Sequence, residues 1–303
     1  MTETLEKIIT KGFNTWIKNL NICIPLVINY VITLLIETFA IVIIIVGILG
    51  ININDEMLFT SNEEVIELFL SSVDENLVFI AILAVLYIII TMLTSSYFSA
   101  GAIGMCQSAT SRGDTTIEDM ISAGNKNFIH VFMANLLIGL MVLAGIVFMV
   151  PGGLLIGNNI DTIEAGQLGL GIIFFIMGLF IWVIYIIILS VILSMVMYAI
   201  IIERIGALEG IHKGYQFFMD NKLSVIFIWL ISIIITFTIG SIFFVIGQIL
   251  TLTGIIGLNM IWSLGSSLVI ITTIQPMIMV WWTRLYIVKT GKSLYIDDLL
   301  DPW

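Results

Sequence analysis

Asn29, Thr33 and Glu37 stand at i, i+4 and i+8 in a long apolar stretch, so on a helix they share one stripe. Glu37 is the one acid well inside any of the long apolar runs. A charge near the middle of a bilayer costs roughly 2.5 to 10 kcal/mol or more, depending on the scale. Glu37 must therefore be held neutral or face a polar cavity. Two readings follow. In one, Asn29, Thr33 and Glu37 line a route for a proton or substrate. Gln275 joins them from the last apolar run, beside Pro276, whose missing N–H kinks a helix. In the other, Glu37 is a neutral group hydrogen-bonded inside a helix bundle.

Other sets of reactive residues are missing. The sequence has no G-x-S-x-G, H-E-x-x-H, Walker A or C-x-x-C pattern. Its two histidines, His130 and His212, stand far apart and lack acid or cysteine companions, so a metal site is not expected. Glu63, Glu64 and Glu67 have no EF-hand spacing and read as a solvated face. Ser61 and Glu64 open that short helix with capping-box spacing. No basic patch supports nucleic-acid binding. Cys23 and Cys106 read as free thiols. The expectation is a protein that is not an enzyme, with no cofactor and no metal.

The elements that position these residues follow from composition. The chain has 303 residues, 60% of them hydrophobic and only 11% charged. Its mean hydropathy is +1.17. Soluble domains carry about 25% charged residues, so the solvent for this chain is lipid. Six apolar runs, at about 24–49, 77–100, 128–150, 169–202, 223–250 and 258–288, reach the roughly 20 residues that a membrane helix needs. All eleven Lys and Arg fall in four places: 7–18, 112–126, 204–222 and 284–292. The other three loops have none, although the net charge is −10. Short positive loops stay in the cytoplasm. Both termini are thus expected to be cytoplasmic in a multi-pass protein of the cell membrane. The first run is too long for the apolar core of a signal peptide, so no cleavable leader is expected.

The runs are tied together by a recurring segment. Lys11-Gly12-Phe13-Asn14-Thr15-Trp16-Ile17-Lys18-Asn19 returns as Lys213-Gly214-Tyr215-Gln216-Phe217-Phe218-Met219-Asp220-Asn221, and a weaker copy surrounds Gly124. Each precedes an apolar run. The fold expected is an all-α membrane protein, a single polytopic domain over 1–303. Its six transmembrane helices form three parallel repeats of an amphipathic interfacial helix plus a transmembrane hairpin, at about 2–112, 113–204 and 205–303. Trp16, Lys11 and Lys18 in the first copy, Phe218 and Lys213 in the last, and Trp281 and Trp282 near Arg284 are read as interfacial anchors. Thr115 and Glu118 have capping-box spacing, and Glu209 and Lys213 have ion-pair spacing. Ser96, Ala100 and Gly104 form a stripe of small residues for close helix contact. Pro151-Gly152-Gly153 is expected to stop the third span. The fourth run is longer than the bilayer, so it must tilt or protrude. The tail from Thr290 resembles the start of a fourth surface helix.

Arg112-Gly113-Asp114, Phe13 and Trp16 with Asn19, and Tyr215 and Phe218 with Asn221 also carry a family resemblance. With six spans, the chain resembles a group of uncharacterised prokaryotic integral membrane proteins, often archaeal. That group is related to the membrane domain of glycerophosphoryl diester phosphodiesterases. The resemblance implies no catalytic residues to carry over, and no stretch outside the spans could hold the soluble phosphodiesterase. The function expected is binding or organising lipid or a membrane partner, with transport near Glu37 as the alternative. Expected partners are membrane lipids, a membrane protein or a second copy.

Overall fold

The computed structural model describes residues 3–48, 76–157 and 165–295. Among them every regular element is helical. The helix expected from Ser61, the acids of the first and second outer loops, and the tail beyond Tyr295 lie outside the described residues. Six helical segments are long and apolar enough to cross a membrane: Leu20–Ile44, Leu77–Arg112, Ile117–Gly157, Gly169–Glu203, Lys222–Thr251 and Gly257–Lys289.

Helix α1 (Leu5–Lys18) leads through a 3₁₀ turn (Leu20–Ile22) into α2 (Cys23–Ile48). The next helix, α3 (Leu77–Arg112), ends at Gly113, whose φ of 90° suits a residue without a Cβ. Thr116 then caps α4 (Ile117–Ala144). Its hydroxyl accepts from the Asp119 N–H at 3.4 Å, and the Asp119 carboxylate accepts from the Thr116 N–H at 3.0 Å. The capping box is therefore one residue later than Thr115 and Glu118. The same spacing fits both pairs, and the register follows the docking of Met120 and Gly124 on α3. The surface helix and span expected here are one continuous helix, because no breaker lies between Gly124 and Phe128.

Pro151 does not stop the third span. The chain passes through a 3₁₀ segment (Gly145–Met149) into α5 (Val150–Gly157). At the first turn of a helix, the missing N–H of proline costs no bond. Tightening to 3₁₀ frees backbone carbonyls, and lipid cannot satisfy them. Helix α6 (Ala165–Ile192) supplies the donors: the Trp182 indole reaches the Val142 carbonyl at 2.9 Å, and the Tyr185 hydroxyl reaches that of Met141 at 2.9 Å. The long fourth run is broken at residues 193–195 before α7 (Val196–Glu203). Arg204, in the left-handed region with φ 56°, turns the chain into α8 (Ala207–Asp220). Helices α9 (Lys222–Thr251) and α10 (Ile256–Val269) follow, then a π turn (Ile270–Ile274) and α11 (Gln275–Lys289). Pro276 sits in the first turn of α11, directly after that π turn.

The core gathers at one end of the bundle. Buried there are Ala100, Ile103, Met105, Cys106 and Ala109 of α3, Val131 and Ala134 of α4, Val196 and Tyr198–Ile202 of α7, and Val280–Val288 of α11. The small residues Ser96, Ala100 and Gly104 are buried where α3 meets α4, and Asn135 donates to the Ser96 hydroxyl at 3.2 Å. Toward the other end, α3 over Leu77–Ile90 and α6 over Leu170–Ile188 are largely exposed. There the chain is a set of hairpins, α2 with α3, α5 with α6, and α9 with α10. Lipid tails are as apolar as leucine, so parting these halves costs little hydrophobic free energy.

Candidate functional site

The Glu37 carboxylate meets Tyr87 across the first hairpin. The Tyr87 hydroxyl donates to Glu37 Oε1 at 3.2 Å. The pair forms the floor of a cleft of about 340 Å³ between α2 and α3. Ala40, Ile41 and Ile44 wall one side, and Ile80, Leu83 and Ala84 the other. Tyr87 is the site residue that sequence reading passed over. Its signal was one phenol in an otherwise aliphatic stretch, Ile80–Ile90. A phenol among apolar side chains tends to have a hydrogen-bond partner.

The structure does not gather the whole polar stripe at this cleft. Asn29, Thr33 and Gln275 are absent from its lining. Asn29 keeps a buried Oδ1 without a hydrogen bond, Thr33 is half-buried, and Gln275 is exposed at the start of α11. Positions i and i+8 on a helix lie about 12 Å apart along the axis, so a shared face does not make a shared cavity.

The residues read as interfacial anchors divide. Lys18 is exposed, and Trp16, Phe218 and Lys213 are half-buried. Lys11 is buried within 3.8 Å of Glu3. Trp281 and Trp282 are only 3% and 7% exposed, so their rings face protein and not headgroups. For Trp281 the reason is Gly12: a Cβ there would lie 2.6 Å from the Trp281 ring, so its absence lets α1 settle directly on α11, while Trp282 packs against Tyr198 of α7. Gly214 lies equally close to Val196, and Gly124 to Tyr97. These contacts bury the glycine edge of α1 and leave Phe13, Ile17 and Leu20 exposed.

Two charge clusters hold the packed end. The Arg284 guanidinium is fully buried and donates to both oxygens of Glu3, at 2.9 and 3.0 Å. Glu203 binds Lys213 and accepts from the Tyr286 hydroxyl at 2.7 Å, while Lys292 donates to the Ile202 carbonyl at 3.2 Å. Lys213 thus pairs with Glu203 of α7, not with Glu209 on its own helix. The hydrogen bond and charge of Glu203 raise the Lys213 pKa. Burial lowers that of Lys292. No group of three or more His, Cys, Asp or Glu able to hold a metal occurs among the described residues.

A family model described as a domain of unknown function, DUF7847, matches residues 66–288. The chain belongs to that family. The match takes in Tyr87, Glu203 and Arg284 and begins beyond α1, α2 and Glu37. No curated protein and no solved structure matches the chain.

Proposed function

We propose that this protein is a non-enzymatic multi-pass protein of the cell membrane that binds or organises lipid. The observation that carries the reading is the cleft between α2 and α3, whose walls are aliphatic and whose floor is one polar pair. An apolar cavity at membrane depth is bathed in hydrocarbon chains, and a lipid chain is the occupant at highest concentration. A transport path would need polar groups in series, and among the described residues the cleft lining offers only Glu37 and Tyr87. The sequence resemblance to the membrane domain of glycerophosphoryl diester phosphodiesterases agrees with work at lipid. In this reading the three hairpins are parallel repeats. Both termini lie in the cytoplasm, and the exposed apolar edges of α1 and α8 rest in the interface.

The test is lipid retention. Wild-type protein purified from its own membranes in mild detergent should carry lipid that solvent extraction releases. Ala84→Trp, which puts an indole into the cleft from an exposed position, should lose it while keeping its elution profile. Equal lipid content in the two proteins would overturn the reading.

A further inference from the structure

We infer that the α2–α3 cleft selects an uncharged lipid alcohol, an apolar chain ending in a hydroxyl, over a phosphate-headed lipid. The inference rests on the lipid-holding reading above and assigns the chemistry of the ligand's polar end.

The floor of the cleft carries the argument. Tyr87 occupies Glu37 Oε1, and Oε2 has no partner among the described residues. A carboxyl group accepts from a hydroxyl in its ionised form and exchanges hydrogen bonds with one in its neutral form. A ligand hydroxyl therefore satisfies Oε2 in either state. A phosphate does not. It would arrive as an anion beside an acid, and none of the described residues lining the cleft is basic. Burying an unpaired anion costs several kcal/mol. Phosphate recognition calls for Lys or Arg. The cations of this chain sit at the other end of the spans: Lys11 and Arg284 at Glu3, Arg112 at Asp119, Lys213 at Glu203, Lys292 on the Ile202 carbonyl, and the rest exposed or half-buried.

Size fits the same occupant. The volume of about 340 Å³ lies at the low end of the roughly 300–1,000 Å³ range of ligand cavities. From Glu37 to Ile44 the wall rises about 10 Å. That length seats the first part of one chain, and the remainder extends into lipid. A headgroup with two chains would exceed the cleft.

The probes are tritiated hexadecanol and hexadecyl phosphate, which share a chain and differ in the head. Each is equilibrated with immobilised full-length protein in detergent. Wild type should retain the alcohol at least about tenfold better than the phosphate, the scale of one hydrogen bond plus an unpaired charge. Glu37→Leu should erase that preference, and Ala84→Trp should abolish retention of both. Equal retention of the two probes by wild type, or a preference untouched by Glu37→Leu, overturns the inference. If Ala84→Trp still abolishes retention in that case, the lipid-holding reading survives. If Ala84→Trp changes nothing, both fall. The wild-type comparison needs no variant and decides the inference even if a substituted protein fails to fold.

Discussion

At the residue scale, the most consequential groups are charges that composition presents as surface residues. Arg284 reads as a cytoplasmic cation beside an aromatic belt, yet it is fully buried on Glu3. A buried pair gives back in attraction about what it loses in hydration, whereas removing one partner leaves an uncompensated charge and costs about 3–5 kcal/mol. Arg284→Met should therefore lower the thermal midpoint of the detergent-solubilised protein markedly. Adding Glu3→Gln should recover only part of the loss, because Lys11, 3.8 Å from Glu3, also gives up that carboxylate. A single variant as stable as wild type would show that Glu3 stays hydrated when α1 docks. Glu37 follows the same logic. Its type and depth marked it from the sequence, but its partner, Tyr87, lies 50 residues away on another helix.

At the element scale, α1 and α8 are sorted by their small edges. Hydrophobic periodicity puts Leu5, Ile8, Ile9, Phe13, Trp16, Ile17 and Leu20 on one face of the first surface segment, and Ile205, Leu208, Ile211, Tyr215 and Phe218 on one face of the last. Of the first set only Ile8 is buried in α1, and it is joined there by Lys11, Gly12 and Thr15; in α8 the buried residues are Gly210, Gly214 and Phe217. In lipid, large apolar side chains gain little by leaving the solvent, so contact goes where backbones approach closest. Gly12→Val should force α1 off Trp281 at a cost of about 1–3 kcal/mol and open the Glu3–Arg284 pair. Amide exchange in residues 5–18 should rise while α3 and α4 remain protected. Unchanged exchange in α1 would show that Trp281 yields without moving the helix. Asn19 adds a lock, donating to the Gly113 carbonyl at 3.1 Å, and Asn21 donates to that of Thr115.

At the scale of the whole molecule, cross-contacts tie distant parts of the chain to one end. Residues 3, 19–21, 110–115, 202–203 and 284–295 meet through Glu3–Arg284, Asn19–Gly113, Glu203–Tyr286 and the Tyr295 N–H on the Thr110 carbonyl. The turn at 252–255 lies beyond the full length of α9, about 45 Å for its 30 residues. In a background lacking Cys23 and Cys106, Asp114→Cys should react with an impermeant maleimide from one side of sealed vesicles, and Thr253→Cys from the other. Labelling of both from the same side would refute the six-span arrangement.

Length, hydropathy and the placement of Lys and Arg made the six apolar helices legible in the sequence, because a bilayer imposes a length and forbids unpaired backbone. The small stripe Ser96, Ala100, Gly104 was legible for a similar reason, since only small side chains let helices touch. Tertiary structure alone decided the rest. It set whether Pro151 ended a helix or began one, which face of α1 met protein, and which partner Glu203, Arg284 and Glu37 each took. Apolar side chains in lipid carry no signal for inside and outside, since both environments solvate them alike. Side-chain type therefore cannot tell core from lipid-facing surface, and only the contacts between helices distinguish them.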